Sequence, residues 1–250
     1  MTRQGRRASS SACLLCLLLG SHPPGAAAQD LAIPDVTYPG LPRQAASAEG
    51  FVPQGWVLEA LASGDLNRDG IADLAFVVRQ NEPRNVIDHP GLGESPFDTN
   101  PRILAVAFRD APAGGYTLQV ENHTLVPRRE NPAQADPFGE DNGGIAIERS
   151  VLKVRLHLFM NAGGWEMFSS THSFRHRNGQ FELIGYDRDT IHRGSGETRG
   201  VSVNYLTRRM KITTGTIESD DTKVAWRTMP QHRPLTLDTV GDGLDFEPER

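Results

Sequence analysis

Cysteine is nearly missing from this 250-residue chain. The two present, Cys13 and Cys16, both sit in the apolar run Ala12–Gly20. The rest of the chain has no disulfides and no thiolate metal ligands, so a packed core and oxygen or nitrogen ligands must hold it. Lysine is scarce as well: Lys153, Lys211 and Lys223 are the only ones, and the arginines are scattered without a basic tract. That distribution argues against a nucleic-acid partner. No apolar run approaches the roughly 20 residues a membrane-spanning helix needs. Nor is there an amphipathic pattern longer than about three helical turns, a clean internal repeat or a phosphate-binding glycine motif. The missing repeat counts against a regular many-bladed propeller.

What is present points to strands and turns. Apolar residues make up 38% of the chain, and 25 glycines with 17 prolines supply many turns, a composition that suits an all-β protein. The N-terminus reads differently. Arg3, Arg6 and Arg7 precede the apolar run, and Ala26-Ala27-Ala28 offers a cleavage site before Gln29. Residues 1–28 therefore read as a secretory signal cut after Ala28, which places the mature chain in the periplasm or outside the cell. Arg6-Arg7 lacks the apolar residues that follow a twin-arginine signal, so the general secretory route is expected. The signal takes three arginines and no acids with it, leaving 23 basic against 31 acidic side chains, a net charge of −8.

Residues 29–50, rich in Ala, Pro, Gly and Gln, read as an extended leader, with a short helix expected over Arg43–Gly50. From Phe51 onward the period is two. Strands are expected at 56–63, 72–79, 102–110, 115–122, 151–160, 165–177, 180–187, 200–207, 209–216 and 223–229. Leu152, Val154, Leu156, Leu158 and Met160 fall on one face of the clearest of them, with Lys153, Arg155 and His157 on the other. Asn178-Gly179 marks a two-residue hairpin whose central residues both need φ > 0. The sum is a single β domain over 51–250, an antiparallel meander forming a sandwich, barrel or propeller-like stack with little helix. Segments 81–100 and 127–144 read as irregular.

The sharpest local feature is "GDLNRDGIADLAFVV", Gly64 to Val78. Asp65, Asn67 and Asp69 occupy alternate positions, Gly70 permits a sharp turn, Ile71 offers a carbonyl and Asp73 closes the set. Three carboxylates so close together repel unless a cation intervenes. Ca²⁺, a hard ion taking 6–8 oxygens, suits this donor set better than Mg²⁺, which keeps its waters. An EF-hand would need an acid at the twelfth position, held here by Phe76. The D-x-[DN]-x-D-G-x-x-D spacing between strands instead resembles the loop of FG-GAP, or integrin-type, propeller blades. That resemblance implies a structural Ca²⁺ site and no overall fold. Together with "NPRILAVAFRD", "FELIGYDRDT" and "VSVNYLTRRMKITTG", the chain resembles a group of uncharacterised exported bacterial proteins carrying one such loop. Arg208 departs from the glycine expected in that last hairpin, and the resemblance implies no assigned activity.

Other clusters read more blandly. Asp238–Glu249 imitates the first loop with poor spacing and reads as a solvated acidic tail. His172, Phe174 and His176 share a strand face, and a zinc pair completed by His157 lacks a positioned third ligand, so surface or interface histidines are expected. Residues 187–197 collect Asp187, Asp189, His192, Ser195 and Glu197 and read as a polar connecting loop. Asn122-His123-Thr124 matches a glycosylation sequon. The expectation is a non-catalytic binding or structural protein of the cell envelope with a protein or glycan partner. The rivals are a hydrolase acting on an envelope polymer through carboxylates of 187–197, and an inhibitor or partner-binding protein.

Overall fold

The computed structural model describes Met1 and residues 31–139, 143–231 and 233–248. Beyond Met1, the signal segment read at 1–28 lies outside the described residues. From Ala32 onward the chain forms one compact unit, and no helix among the described residues is long and apolar enough to cross a membrane.

Among the described residues, fourteen strands follow in chain order. The first seven are β1 (Gln44–Ala45), β2 (Trp56–Gly64), β3 (Asp73–Gln80), β4 (Val86–Ile87), β5 (Phe97–Asp98), β6 (Arg102–Arg109) and β7 (Tyr116–Asn122). Then come β8 (Gly144–Glu148), β9 (Val151–Leu158), β10 (Glu166–Arg177), β11 (Gln180–His192), β12 (Glu197–Asn204), β13 (Arg209–Thr216) and β14 (Ser219–Thr228). The antiparallel, helix-poor architecture expected from the period-two pattern is the one adopted. A five-stranded sheet runs β1-β7-β6-β3-β2, a seven-stranded meander runs β14 through β8, and β4 pairs β5. Asn178 and Gly179 take φ of 52° and 76°, as the hairpin between β10 and β11 requires. Arg208, where a glycine was expected, accepts φ of 55° in the β12–β13 turn.

The five-stranded sheet is covered on both faces. Ala75, Val77, Leu104 and Val106 pack into a core shared with Leu152, Val154 and Leu156 of the seven-stranded sheet. On the opposite face, Phe76, Val78 and Ile103 bury against Leu41, Phe51 and Trp56. Burial on both sides explains why β3 and β6 read as nearly unbroken apolar runs instead of alternating. The seven-stranded sheet has its inner face in the core, while β14 is exposed along its whole length. That edge carries Lys223 and a register break opposite Thr214–Thr216, both of which deter strand addition.

Three sequence expectations are corrected. The segment 43–50 forms no α-helix: Gln44–Ala45 pairs with β7, and Ala48–Phe51 make a 3₁₀ turn that drives Ala48 and Phe51 into the core. The residues at 187–197 are mostly strand. β11 continues to His192 because its partners β10 and β12 are equally extended, and only residues 193–196 turn. The segment 238–249 is no solvated tail over its described part. Leu237, Val240 and Phe246 are buried in the main core. Gly243 lies so close to Leu156 and Leu125 that a Cβ there would fall about 2.4 Å from the Leu156 side chain.

Candidate functional site

The acidic loop joins β2 to β3, as a loop between neighbouring strands. Its side chains fold back onto its own backbone. Asp65 accepts from Arg68 N (2.6 Å) and Gly70 N (3.1 Å). Asn67 Oδ1 accepts from Asp69 N (2.9 Å), and Asp69 Oδ1 from Ile71 N (2.7 Å). Positive φ at Arg68 (70°) and Gly70 (86°) makes these short turns reachable. Asp73 behaves differently. It is fully buried at the start of β3. Its Oδ2 accepts from Leu66 N (2.8 Å) and Asn67 N (3.3 Å), and its Oδ1 from Arg109 N at the end of β6 (3.0 Å). One carboxylate thus ties the loop to two strands.

Burial pushes the Asp73 carboxyl above its ordinary range despite those three N–H donors, and the charge of Asp69 adds to the rise. No ion pair among the described residues includes Asp73. Asp65, Asn67 and Asp69 each keep acceptor capacity after their turn bonds, but no three acidic or histidine side chains among the described residues come together as a metal-ligating cluster. Asp65, Asn67, Asp69 and the Ile71 carbonyl are the groups that would hold Ca²⁺, with Asp73 as the buried member.

The remaining sequence candidates separate. His172 is fully buried, not on the surface, packed edge-on to Tyr186 (4.9 Å) and Phe246 (5.2 Å). Burial lowers its pKa to about 3. His172 sits opposite Val154, so it shares the inner face, whereas His157 sits opposite Ser169 on the outer face. The sheet therefore keeps those histidines apart. Asn122 is consumed structurally: its Oδ1 accepts from Leu125 N (2.7 Å) and its Nδ2 donates to the Leu237 carbonyl (2.7 Å).

In the 187–197 region the pleat divides the residues. Asp187 pairs with Thr171 and Ser202, and His192, five positions on, points to the other face. Glu166 lies directly opposite His192. Ser195 Oγ is 2.9 Å from His192 Nδ1 and donates to Glu197 Oε2 (3.2 Å), while Ser195 N–H donates to the same Nδ1 (3.1 Å). This inverts a nucleophilic triad, because the carboxylate holds the serine and not the imidazole.

These residues open onto a hollow that sequence reading missed. β10 and β11 outrun the core, and their distal inner face forms a trough of about 500 Å³. It is lined by Glu166, Arg188, His192, Glu197, Arg199 and Glu247. Arg188 donates to Glu247 (3.0 Å) and lies 4.0 Å over the Phe168 ring. The available signal was a failure of alternation: Arg188, Thr190 and His192 stand at inward positions where a covered strand would carry apolar residues.

A second missed cluster is structural. Arg79 and Arg102 stand directly opposite each other in β3 and β6, a repulsive arrangement. A register break between Leu58 and Ala60 places Glu59 as the extra residue of β2. Arg102, 4% exposed, grips Glu59 (2.6 and 2.8 Å) and Asp136 (3.0 and 2.7 Å) in two bidentate pairs. Burial opposes its charge, but the two carboxylates outweigh that and hold the guanidinium firmly protonated. Asp136 is correspondingly lowered, its own burial overcome by Arg102.

Compared with known proteins, the chain matches no family model, no curated protein and no solved structure.

Proposed function

We propose that this is an exported, non-catalytic binding protein of the cell envelope, steadied by one structural Ca²⁺ at Asp65, Asn67, Asp69, Ile71 and Asp73. The observation that carries the binding role is the trough. It is an open, charged surface on a rigid sheet, left uncovered where the core ends, and its Ser195–His192–Glu197 contacts lack the order a nucleophile needs. Co-sedimentation with insoluble envelope polymers tests it. Binding without release of new chain ends is expected, and Arg199→Glu in the trough should weaken it.

One observation favours the hydrolase reading instead. Glu166 and Glu197 border the same trough on either side of His192. Both are exposed, however, on an open trough and not in an enclosed cleft that would hold a substrate bond between them. Release of reducing ends, lost in Glu197→Gln, would replace the binding role with catalysis.

The Ca²⁺ reading has its own test. A cation bound to the folded state alone contributes about 2.7 kcal/mol at one hundred times its Kd. Ca²⁺ should raise Tm, EDTA should reverse the rise, and Asp69→Ala should abolish it. A melting curve indifferent to both reagents rejects the site.

A further inference from the structure

Trp165, the residue just before β10, is 67% exposed yet anchored. Its carbonyl accepts from Arg193 N (2.7 Å), which ties it to the end of β11. One side of the ring rests on Gly194, where a Cβ would lie 3.0 Å from the indole. His192 stacks beside it at 6.2 Å and 23°. Before it runs Asn161-Ala162-Gly163-Gly164, with Gly163 and Gly164 at φ of 70° and 57°. This glycine turn leaves a hollow of about 350 Å³ bounded by Asn161, Trp165 and Arg193. Arg193 is itself fixed, donating to the Met160 carbonyl (2.7 Å) and lying over Phe159.

A large apolar ring held in one orientation and left bare is a costly arrangement unless something stacks on it. The comparison within the chain is Trp226, also exposed, whose ring is covered by the Arg209 guanidinium at 4.7 Å. Trp165 has no such cover from a described cation. Its surroundings define what would stack. His192 makes the ring contiguous with the trough, so the platform stands between that polar trough and the smaller hollow beside the glycine turn. Three carboxylates, Glu166, Glu197 and Glu247, face two arginines there. That balance repels phosphate-rich polymers and gives a strongly cationic ligand no concentrated negative charge. Carboxylates, guanidinium groups, an amide and threonine hydroxyls together satisfy a dense array of neutral hydroxyls, each able to donate and accept. A pyranose ring combines such hydroxyls with an apolar C–H face that lies flat on an indole.

We propose that Trp165 and the adjoining trough form a binding site for a neutral glycan chain, one sugar stacked on Trp165 and the following units running past His192 toward Arg188 and Arg199. This rests on the non-catalytic binding role above and names its ligand class.

The test is calorimetric titration of the full mature chain with short neutral oligosaccharides of the cello-, malto- and chito- series, beside an anionic uronate series. At least one neutral series should bind. Trp165→Ala should weaken that binding about tenfold or more, with melting unchanged, while Trp226→Ala should leave it within twofold. Tighter binding of the uronates, or neutral binding indifferent to Trp165, overturns the assignment. If envelope polymers still co-sediment in either case, the binding role survives and only the glycan site fails. Absence of binding to every oligosaccharide and every polymer overturns both.

Discussion

The two sheets treat charge in opposite ways. In the five-stranded sheet, charge is paired off in a knot: Arg102 sits at 4% exposure with both carboxylate partners engaged bidentately, beside a hollow of about 860 Å³ that Glu59, Arg79 and Asp136 also line. In the seven-stranded sheet, charge is left facing a trough, with Arg188, Arg199, Glu166 and Glu197 around open space. In the first arrangement, removing Arg102 leaves two carboxylates, 24% and 29% exposed, without the cation they share. In the second, Glu166, Glu197 and Arg199 are exposed, while Arg188, 13% exposed, packs over Phe168. One sheet uses ionic groups to fix the register of β2, β3, β6 and the 127–139 segment, and the other presents them.

The largest break in that contrast is Arg102→Ala. Removing the guanidinium leaves Glu59 and Asp136 without their main partner and restores no packing, so unfolding free energy should fall by about 3 kcal/mol, the low end for a buried pair because both carboxylates keep some contact with water. The matched change in the trough, Arg199→Ala, should fall within about 0.5 kcal/mol, as for surface substitutions generally. Equal losses in urea melts of the two variants would erase the distinction between the sheets.

Next in size is His172, a buried group of the seven-stranded sheet's covered half. Its folded-state pKa of about 3 lies below the ordinary 6.5. The unfolded chain therefore takes up a proton that the native state refuses. Stability is intact above pH 6.5 and is lost as pH falls from there toward 3, by about 1.4 kcal/mol per unit. Neither ring nitrogen has a hydrogen-bond partner among the described residues, so His172→Leu should be close to neutral at pH 7. At pH 5 it should be more stable than the parent by about 2 kcal/mol. Parallel stability profiles for the two proteins between pH 7 and pH 5 would refute this.

Much of this was legible in the residues. Alternation in Val151–Leu158 and the Asn178-Gly179 turn are local, and they announced their strand and hairpin directly. The strand-flanked acidic loop was legible as a loop for the same reason, since its turn-forming side chains lie within nine residues. Two things were not. The distinct role of Asp73 depends on Arg109 N, thirty-six residues away, and no spacing rule reveals that contact. The trough depends on how far β10 and β11 outrun the core, a tertiary quantity. Polar side chains at 188–192 looked like a loop because sequence alone does not show where the covering sheet stops. The C-terminal acids misled in the opposite sense: Asp242 and Asp245 concealed the apolar series Leu237, Val240 and Phe246 that packs the segment down.

The acidic loop supplies the third prediction, intermediate in size and internal to the five-stranded sheet. Without Ca²⁺, Asp73→Ala should cost about 1–3 kcal/mol, because it leaves buried N–H groups of Leu66 and Arg109 without their acceptor. Asp69→Ala, at an exposed position, should cost far less in the same buffer. The two variants therefore separate the carboxylate's structural duty from any cation. Similar losses for both in EDTA would mean that Asp73 contributes no more to the fold than an exposed turn residue.

The smallest effect belongs to β14. Trp226 is 56% exposed, and its main contact is the Arg209 guanidinium across the hairpin. An exposed cation–π contact is worth about 0.5–1 kcal/mol, and the strand's other neighbours are on one side only. Trp226→Ala should lower stability by no more than that, and Arg209→Ala should do the same. The double variant should lose less than the sum of the two singles, since the same contact is removed only once. If the losses simply add, the stacking carries no energy. Trp226 would then be a second bare indole on the open sheet, and the contrast that singles out Trp165 as the platform would weaken with it.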